Sequence, residues 1–503
     1  MNESPERSRR TTGTVATRPG FWLAAAVVVG TVIRVPHLFF PATGPYSFRL
    51  AQTAMGVREF ARHGVDLTAS PLPVFGVADN VPFEFPLFQA LARELMRLGP
   101  DATAATRLAG LLGFQVVAVL WFVLLCRWVG ARTAAGAVVL LEFLPFGLLW
   151  GDAPLIDFFS VALGLGMVVA LDTWMRGRGW PFLAVGAVLA SLLFLVKVTS
   201  VPASGVLLLT SVALVVVERG RRATWPRILA ALALGPGLAL VPLLLWTRHA
   251  DGVKAASTAT QFLTSDALVQ WNFGTWEQRT SAATWQDLAH RVSGEISGFG
   301  LVSLALALVL GVVFGSLRQR VALAGLVVGA LAPVLIFFNL YAVHAYYLTA
   351  VYPMLCAIPV VGVAALAERF DRPRITLAAA GVMALLVLST AVSPQGRADI
   401  HLLRHRTPVA ALSERLRQVT PPGSRIVLVG CDWNPEFLDE ADRTGLMFRQ
   451  QTPAQAWAEN DVRDYGFIAQ CNDEIDPAKF LPPGYGLGPT AAPEVFRIVR
   501  RPA

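Results

Sequence analysis

The feature that most constrains this chain is a series of apolar stretches, each about 20 residues long, recurring from near the N-terminus to about residue 393. A helix of about 20 apolar residues matches the hydrocarbon thickness of a bilayer. About eleven such segments can be read, roughly 21–40, 105–125, 132–150, 154–174, 180–197, 200–217, 227–247, 297–316, 321–340, 347–366 and 374–393. Only 15% of the 503 residues are charged, against about 25% in soluble domains. That excludes a soluble multidomain enzyme, a disordered scaffold and a small secreted disulfide protein. The expected fold is mainly α, a polytopic membrane protein of about eleven transmembrane helices.

The basic residues set the expected orientation. Of 42 Lys and Arg, only Lys197, Lys254 and Lys479 are lysines. This arginine bias suits a GC-rich genome and does not by itself imply a nucleic-acid partner. The N-terminal tail with Arg7, Arg9, Arg10 and Arg18 is too long before its apolar run to read as a cleaved signal peptide. With that tail in the cytoplasm, the inner loops hold Arg127 and Arg132, Arg176 and Arg178, Arg219 to Arg227, Arg318 and Arg320, and Arg369 to Arg374. The short outer connections 150–154 and 341–346 hold no Lys or Arg, as the positive-inside rule requires. An odd number of spans puts the C-terminal segment outside. The expected layout is a cytoplasmic tail 1–20, a membrane module 21–393 and an extracytoplasmic domain 394–503, in a bacterial plasma membrane.

Three polar segments lie on the outer side: 41–104, 248–296 and the tail from 394. Long loops in compact proteins usually carry function. The first loop fits two amphipathic helices. In Ser47 to Gly64, Leu50, Ala54, Val57 and Phe60 share one face and Arg49, Gln52 and Glu59 another. In the second, Pro86 suits the first turn and Phe88, Leu91, Leu95 and Leu98 form an apolar stripe. Periodicity alone favours two interfacial helices lying on the membrane with ordinary polar faces. Segment 248–296 interleaves Trp271, Phe273, Trp276 and Trp285 with polar residues, suited to sugar stacking or to lipid headgroups. The tail reads as a small α/β domain. Helices are expected from Pro408, from Pro435 and, through the capping box Thr452-Pro453-Ala454-Gln455, from Pro453. Strands are expected at Ile426 to Gly430, Tyr465 to Gln470 and Val495 to Val499. Cys431 and Cys471 each follow a strand, and adjacency of those strands would make them a disulfide candidate. Cys126 and Cys356 lie in apolar runs.

Several short motifs then line up in order. They are Phe48-Arg49-Leu50-Ala51-Gln52-Thr53-Ala54, Arg58-Glu59-Phe60, Phe83-Glu84-Phe85-Pro86, Ile156-Asp157, Lys197-Val198-Thr199 and His344-Ala345-Tyr346-Tyr347. In this order and on one membrane face they resemble GT-C glycosyltransferases, in the branch of bacterial protein mannosyltransferases and lipid A aminoarabinose transferases (glycosyltransferase family 39-like). The likeness runs over roughly residues 20–450, and Asp432-Trp433-Asn434-Pro435 with Asp442-Arg443 resembles tail motifs of the family. One departure stands out. Three residues after Arg49, where the family carries an Asp, stands Gln52, which cannot accept a proton. Either another carboxylate serves or the chemistry is altered or lost.

The resemblance implies a GT-C fold and transfer of a hexosyl or pentosyl group, with inversion, from a polyprenyl-phosphate donor to a glycan, lipid or protein acceptor. No Gly-rich phosphate loop or Rossmann fingerprint is present, in keeping with a lipid-borne donor. Such chemistry needs a group to orient or deprotonate the acceptor and cations for the departing phosphate. Glu84 is the first candidate base, with a helix-cap carboxylate as the alternative. Asp157 at the mouth of a span is the second, and Asp152 either pairs with it or is a solvated loop acid. Lys197, Arg49 and Arg58 are candidate phosphate ligands. Lys197 snorkelling to the interface and Arg58 as a surface charge are the alternatives. His344, Tyr346 and Tyr347 either line the donor groove or anchor at the interface. No Cys/His zinc spacing occurs, and a divalent ion on Glu84, Asp152 or Asp157 is an open possibility. The rival reading is a non-enzymatic polyprenyl-lipid binding or transport protein on the same scaffold, with Gln52 as its supporting feature.

Overall fold

The structure, a computed structural model, describes residues 19–40, 46–296, 300–370, 374, 381 and 408–501. The eleventh expected span, 374–393, and the N-terminal arginines therefore lie outside the described residues, positions 374 and 381 apart. The chain opens with α1 (Pro19–Arg34), α2 (Ser47–His63), α3 (Leu87–Met96), α4 (Ala102–Val129), α5 (Ala131–Phe143) and α6 (Pro145–Trp150). It continues with α7 (Asp157–Met175), α8 (Pro181–Val196), α9 (Val201–Arg219), α10 (Arg221–Leu232) and α11 (Leu238–Ala255). Three short helices follow, α12 (Val269–Phe273), α13 (Trp276–Thr280) and α14 (Ala282–Arg291). The bundle ends with α15 (Gly300–Phe314), α16 (Leu317–Ile336), α17 (Phe338–Val343) and α18 (Tyr352–Phe370).

Among the described residues, seven helical stretches are long and apolar enough to cross a membrane, and Pro181–Val196 and Leu304–Phe314 are shorter apolar helices. The chain is a multi-pass membrane protein. Several expected spans are broken helices, each for a local reason. Pro145 cannot donate to the preceding turn, so α5 stops at Phe143, Leu144 is extended, and α6 starts at Pro145. Pro236 opens a π-helical turn, Ala233–Gly237, between α10 and α11. The expected tenth span, 347–366, starts later as an α-helix: a 3-10 segment, Ala345–Ala350, comes first, so Tyr346 and Tyr347 precede α18 as the motif order leads one to expect.

The helix α7 is the hub, buried on nearly every side against α4, α8 and α9. At its C-terminal end the arginine-rich turns meet. Asp172 accepts from Arg127 and Arg176, both at 2.8 Å, Arg176 also pairs with Glu218, and Arg318 reaches Glu218 at 3.2 Å. The α4–α5, α7–α8, α9–α10 and α15–α16 turns thus share one end of the bundle. The opposite end carries the first loop and the tail.

The first loop differs from an amphipathic pair lying on a membrane. Leu50 to Val57 of α2 are buried without exception, Gln52 and Thr53 included, together with Glu59 and Phe60. One side packs on α3 and α4 and the other on the tail. In α3 Phe88 is buried while Leu91 is exposed, as is Leu98 just beyond the helix, so only part of the apolar stripe faces the core.

The tail holds α19 (Pro408–Val419), β1 (Arg425–Val429), α20 (Glu436–Ala441), β2 (Thr444–Met447), α21 (Pro453–Glu459), β3 (Phe467–Gln470), β4 (Tyr485–Gly488) and β5 (Val495–Arg500). The sheet order is β2-β1-β3-β5-β4, with β2, β1 and β3 parallel and β5 and β4 joined antiparallel. Strands β2 and β4 were not expected, because Thr-Gly-Leu-Met and Tyr-Gly-Leu-Gly are short and glycine-rich. Gly445 has a steric reason: a Cβ there would lie 1.9 Å from the Ile426 carbonyl oxygen. Cys431 and Cys471 follow the paired strands β1 and β3 and form a disulfide, with Cα atoms 5.2 Å apart.

A strap from the first loop completes the sheet. Met447 N–H donates to Val74 O at 2.8 Å, Gly445 N–H to Pro73 O at 2.9 Å, and Gly76 N–H to Gly445 O at 2.8 Å. The edge of β2 is thereby covered, as an exposed sheet edge needs to be. Trp433 sits between Phe83 and Phe75, stacked at 5.9 and 6.0 Å.

Candidate active site

The break between α8 and α9 places Lys197 in extended geometry, φ −159° and ψ 91°. Its ammonium lies at the same end of the bundle as the start of α7. Lys197 Nζ is 2.8 Å from Asp157 Oδ1, with side chains 9% and 2% exposed. Thr349 Oγ1 donates to the same oxygen at 3.2 Å, and Asp157 Oδ2 is buried with no partner. The ammonium also faces the rings of Tyr347 at 4.6 Å and Tyr346 at 5.6 Å. A cation–aromatic contact of this kind favours keeping the charge where water is scarce.

A second ion pair stands beside the first. Arg49 Nη2 donates to Glu84 Oε2 at 2.8 Å, and Gln89 Nε2 donates to Glu84 Oε1 at 2.9 Å. Phe85 N–H bonds to Leu195 O at 3.1 Å, which ties the Glu84 turn to the end of α8, two residues from Lys197. Glu84 is not a helix cap: Pro86 occupies the N-cap of α3, and no side chain caps it. Gln52 lines, with Glu84 and Gln89, a cavity of about 20 Å³, enough for about one water.

An aromatic wall closes the group. His344, Tyr346 and Tyr347 stack in sequence, 5.2 Å and 4.8 Å between neighbouring rings. Tyr46 meets His344 and Tyr346 edge-on at 5.2 and 5.3 Å, and its hydroxyl accepts from Ala345 N–H at 3.0 Å. Trp271 lies edge-on to His344 at 5.8 Å. Burial, with the cations Arg291, Arg49 and Lys197, pulls the His344 pKa down to about 4. His344 is therefore a neutral imidazole near pH 7, and its Nδ1 is buried with no partner.

Arg49, Glu84, Gln52, Asp157, Lys197, His344, Tyr346 and Tyr347 are thus gathered at one end of the bundle. Arg58 is not among them. It lies nine residues beyond Arg49, about 13 Å along the helix, and pairs with Asp439 of α20 at 2.8 Å; it fastens the tail. Asp152 does not pair with Asp157. It faces His37 Nδ1 at 3.3 Å, while Asp157 faces Lys197. Glu84, Asp152 and Asp157 thus face three different residues, Arg49, His37 and Lys197. Among the described residues no group of three His, Cys, Asp or Glu side chains is placed to hold a metal ion. Three participants escaped the sequence reading. Gln89 carried a signal, one helical turn into α3 on the Glu84 side. Tyr46, held at φ 61°, and Thr349 carried none.

A membrane bundle with a folded first loop and a small α/β tail at one end, enclosing buried cations and carboxylates, has the GT-C glycosyltransferase fold. ArnT, an aminoarabinose transferase, from Cupriavidus metallidurans, in a structure bound to undecaprenyl phosphate, superposes with a TM-score of 0.65 at 15% identity over 95% of this chain and 97% of that one. The archaeal oligosaccharyltransferase AglB from Archaeoglobus fulgidus, in complex with an inhibitory peptide and a dolichol-phosphate, gives 0.51 at 9% identity over 90% of this chain and 69% of that one. Arabinofuranosyltransferase AftD from Mycobacteria gives 0.52 at 16% identity over 96% of this chain, which spans 40% of AftD. Compared by sequence, the chain matches no family model and no curated protein.

Proposed function

We propose that this protein is an integral-membrane glycosyltransferase that moves a sugar from a polyprenyl-phosphate donor to an acceptor at the outer face of the membrane. The observation that carries the reading is the two ion pairs, the nearly buried Lys197–Asp157 and the part-buried Arg49–Glu84, at the membrane boundary beside an aromatic wall. Each pair is neutral and closed. An incoming phosphate competes for Lys197 and Arg49 and frees the two carboxylates at the moment the donor is seated. The acceptor hydroxyl or amine then attacks the anomeric carbon from the side opposite the phosphate. The bond from that carbon to the phosphate oxygen breaks, its electron pair leaves on the polyprenyl phosphate, and the acceptor proton passes to a carboxylate. This displacement inverts the anomeric centre. Glu84 is the first choice of base and Asp157 the second; Lys197 and Arg49 hold the developing phosphate charge. Arg58 has no part in this step.

The arginine-rich turns at the far end favour a cytoplasmic N-terminus and an extracytoplasmic site in a bacterial plasma membrane. Residues 21–393 form the membrane module and 394–503 the outer domain, which with the first loop meets the acceptor.

One observation favours the rival lipid-binding reading: Gln52 is buried where the resemblance leads one to expect an Asp, and both remaining carboxylates are ion-paired. The deciding experiment gives the purified protein radiolabelled polyprenyl-phosphate sugars in native lipid extract and follows release of polyprenyl phosphate. Sugar-dependent release that Glu84→Gln lowers by about 10²-fold or more supports the transferase. Tight donor binding without release supports the rival.

A further inference from the structure

A second, larger cavity lies away from the ion pairs. It holds about 740 Å³ in a groove between α4, α7 and α8. Its walls are apolar along the membrane depth, and the exposed Leu112, Val116 and Val185 on its rim open it sideways out of the bundle. Small residues make the room: Gly113 on α4, and Ala162, Gly166 and Ala170 on one face of α7. From Phe159 to Thr173 the groove follows α7 for about 21 Å, more than the roughly 15 Å of one hydrocarbon leaflet.

The two ends differ. The end near the candidate site is lined by Leu91 and Phe159, and the opposite end by Arg127, Thr173 and Arg178. At that opposite end Arg127, Arg176 and Arg318 pair with the two carboxylates of Asp172 and Glu218, and Arg178, which lines the same end of the groove, brings the excess there to two positive charges. Arg178 is exposed and has no ion-pair partner among the described residues. A donor whose phosphate sits on Lys197 and Arg49 has its charge at the other end of α7 and α8. The cationic end of the groove therefore suits a different lipid.

We propose that this groove binds an anionic phospholipid of the leaflet opposite the candidate site, with its phosphate on Arg178 and Arg127 and an acyl chain lying along Gly166 and Ala162. Basic pockets between transmembrane helices recognise anionic headgroups through this combination of guanidinium charge and apolar wall. The probe is native mass spectrometry of the full chain in detergent, titrated with phosphatidylglycerol and with phosphatidylcholine of the same acyl chains. Wild-type protein is expected to retain phosphatidylglycerol in preference. Arg178→Glu, a change at an exposed side chain, is expected to weaken phosphatidylglycerol by about tenfold or more and leave phosphatidylcholine and undecaprenyl phosphate binding unaltered. Gly166→Leu fills the groove, its Cβ meeting first the Leu189 side-chain methyl at 3.0 Å, and is expected to lower occupancy by both phospholipids. Equal retention of the two headgroups, or phosphatidylglycerol binding that Arg178→Glu leaves unchanged, overturns the proposal. So does one-for-one displacement of phosphatidylglycerol by undecaprenyl phosphate, which would give the groove to the donor.

Discussion

Removing the ammonium of Lys197 strands the Asp157 carboxylate, whose side chain is 2% exposed. Breaking one side of a buried pair costs about 3–5 kcal/mol, so Lys197→Ala is expected to lower the melting temperature in detergent as well as transfer. The double variant Lys197→Met with Asp157→Asn removes both charges and is expected to recover stability without recovering transfer. Recovery of both would take the pair out of the chemistry. His344 makes the opposite case, a site residue without a charge. Its folded pKa of about 4 lies below the ordinary value of 6.5, so the unfolded chain binds the proton first as pH falls. The stability His344 contributes is full above about pH 6.5 and is lost as pH falls towards 4. The melting temperatures of wild type and His344→Asn should therefore converge over that window, and a gap that widens on acidification contradicts the assignment. Most of these side chains were legible beforehand because charges at the mouths of apolar spans are costly unless they act or pair. Their pairing was not legible. Glu84 finds Arg49 across 35 residues and Asp157 finds Lys197 across 40, and only packing decides between those partners and Asp152 or Arg58.

The helices were readable as elements because about 20 apolar residues leave little choice of structure in a membrane. Their interruptions at Leu144, Ala233–Gly237 and Lys197 follow from proline, or from packing that a hydropathy window averages away. The first loop was harder. Its α2 is buried from Leu50 to Val57, and an amphipathic pattern cannot announce a partner as far as 381 residues away. That partner is the tail, joined through Arg58–Asp439, the strap on β2 and the Phe83–Trp433–Phe75 stack. Gly445→Val forces a side chain onto the Ile426 carbonyl and is expected to release the strap. Limited proteolysis should then cut between residues 72 and 76, which are buried in wild type; absence of a new cut there would mean that the strap does not depend on β2. Reducing Cys431–Cys471, which closes a 40-residue separation, should destabilise the tail by about 2–4 kcal/mol. Thiol labelling should reach neither cysteine until that reduction.

At the scale of the molecule, basic turns gather at one end and folded loops at the other. A single cysteine at Trp276, which is 78% exposed on the loop side, is expected to react with a membrane-impermeant thiol reagent on intact cells. One at Arg178 is expected to react only after lysis, and the reverse pattern would invert the orientation. The union of strap and sheet also has a consequence for synthesis. The loop carrying Glu84 is made within the first fifth of the chain, yet the strand that receives its strap is not made until residues 444–447 leave the ribosome. For most of translation the loop must wait with its hydrogen-bonding edge unmatched. A chain that stops before the tail would hold all its described spans and still lack the strand that receives the strap of its first loop.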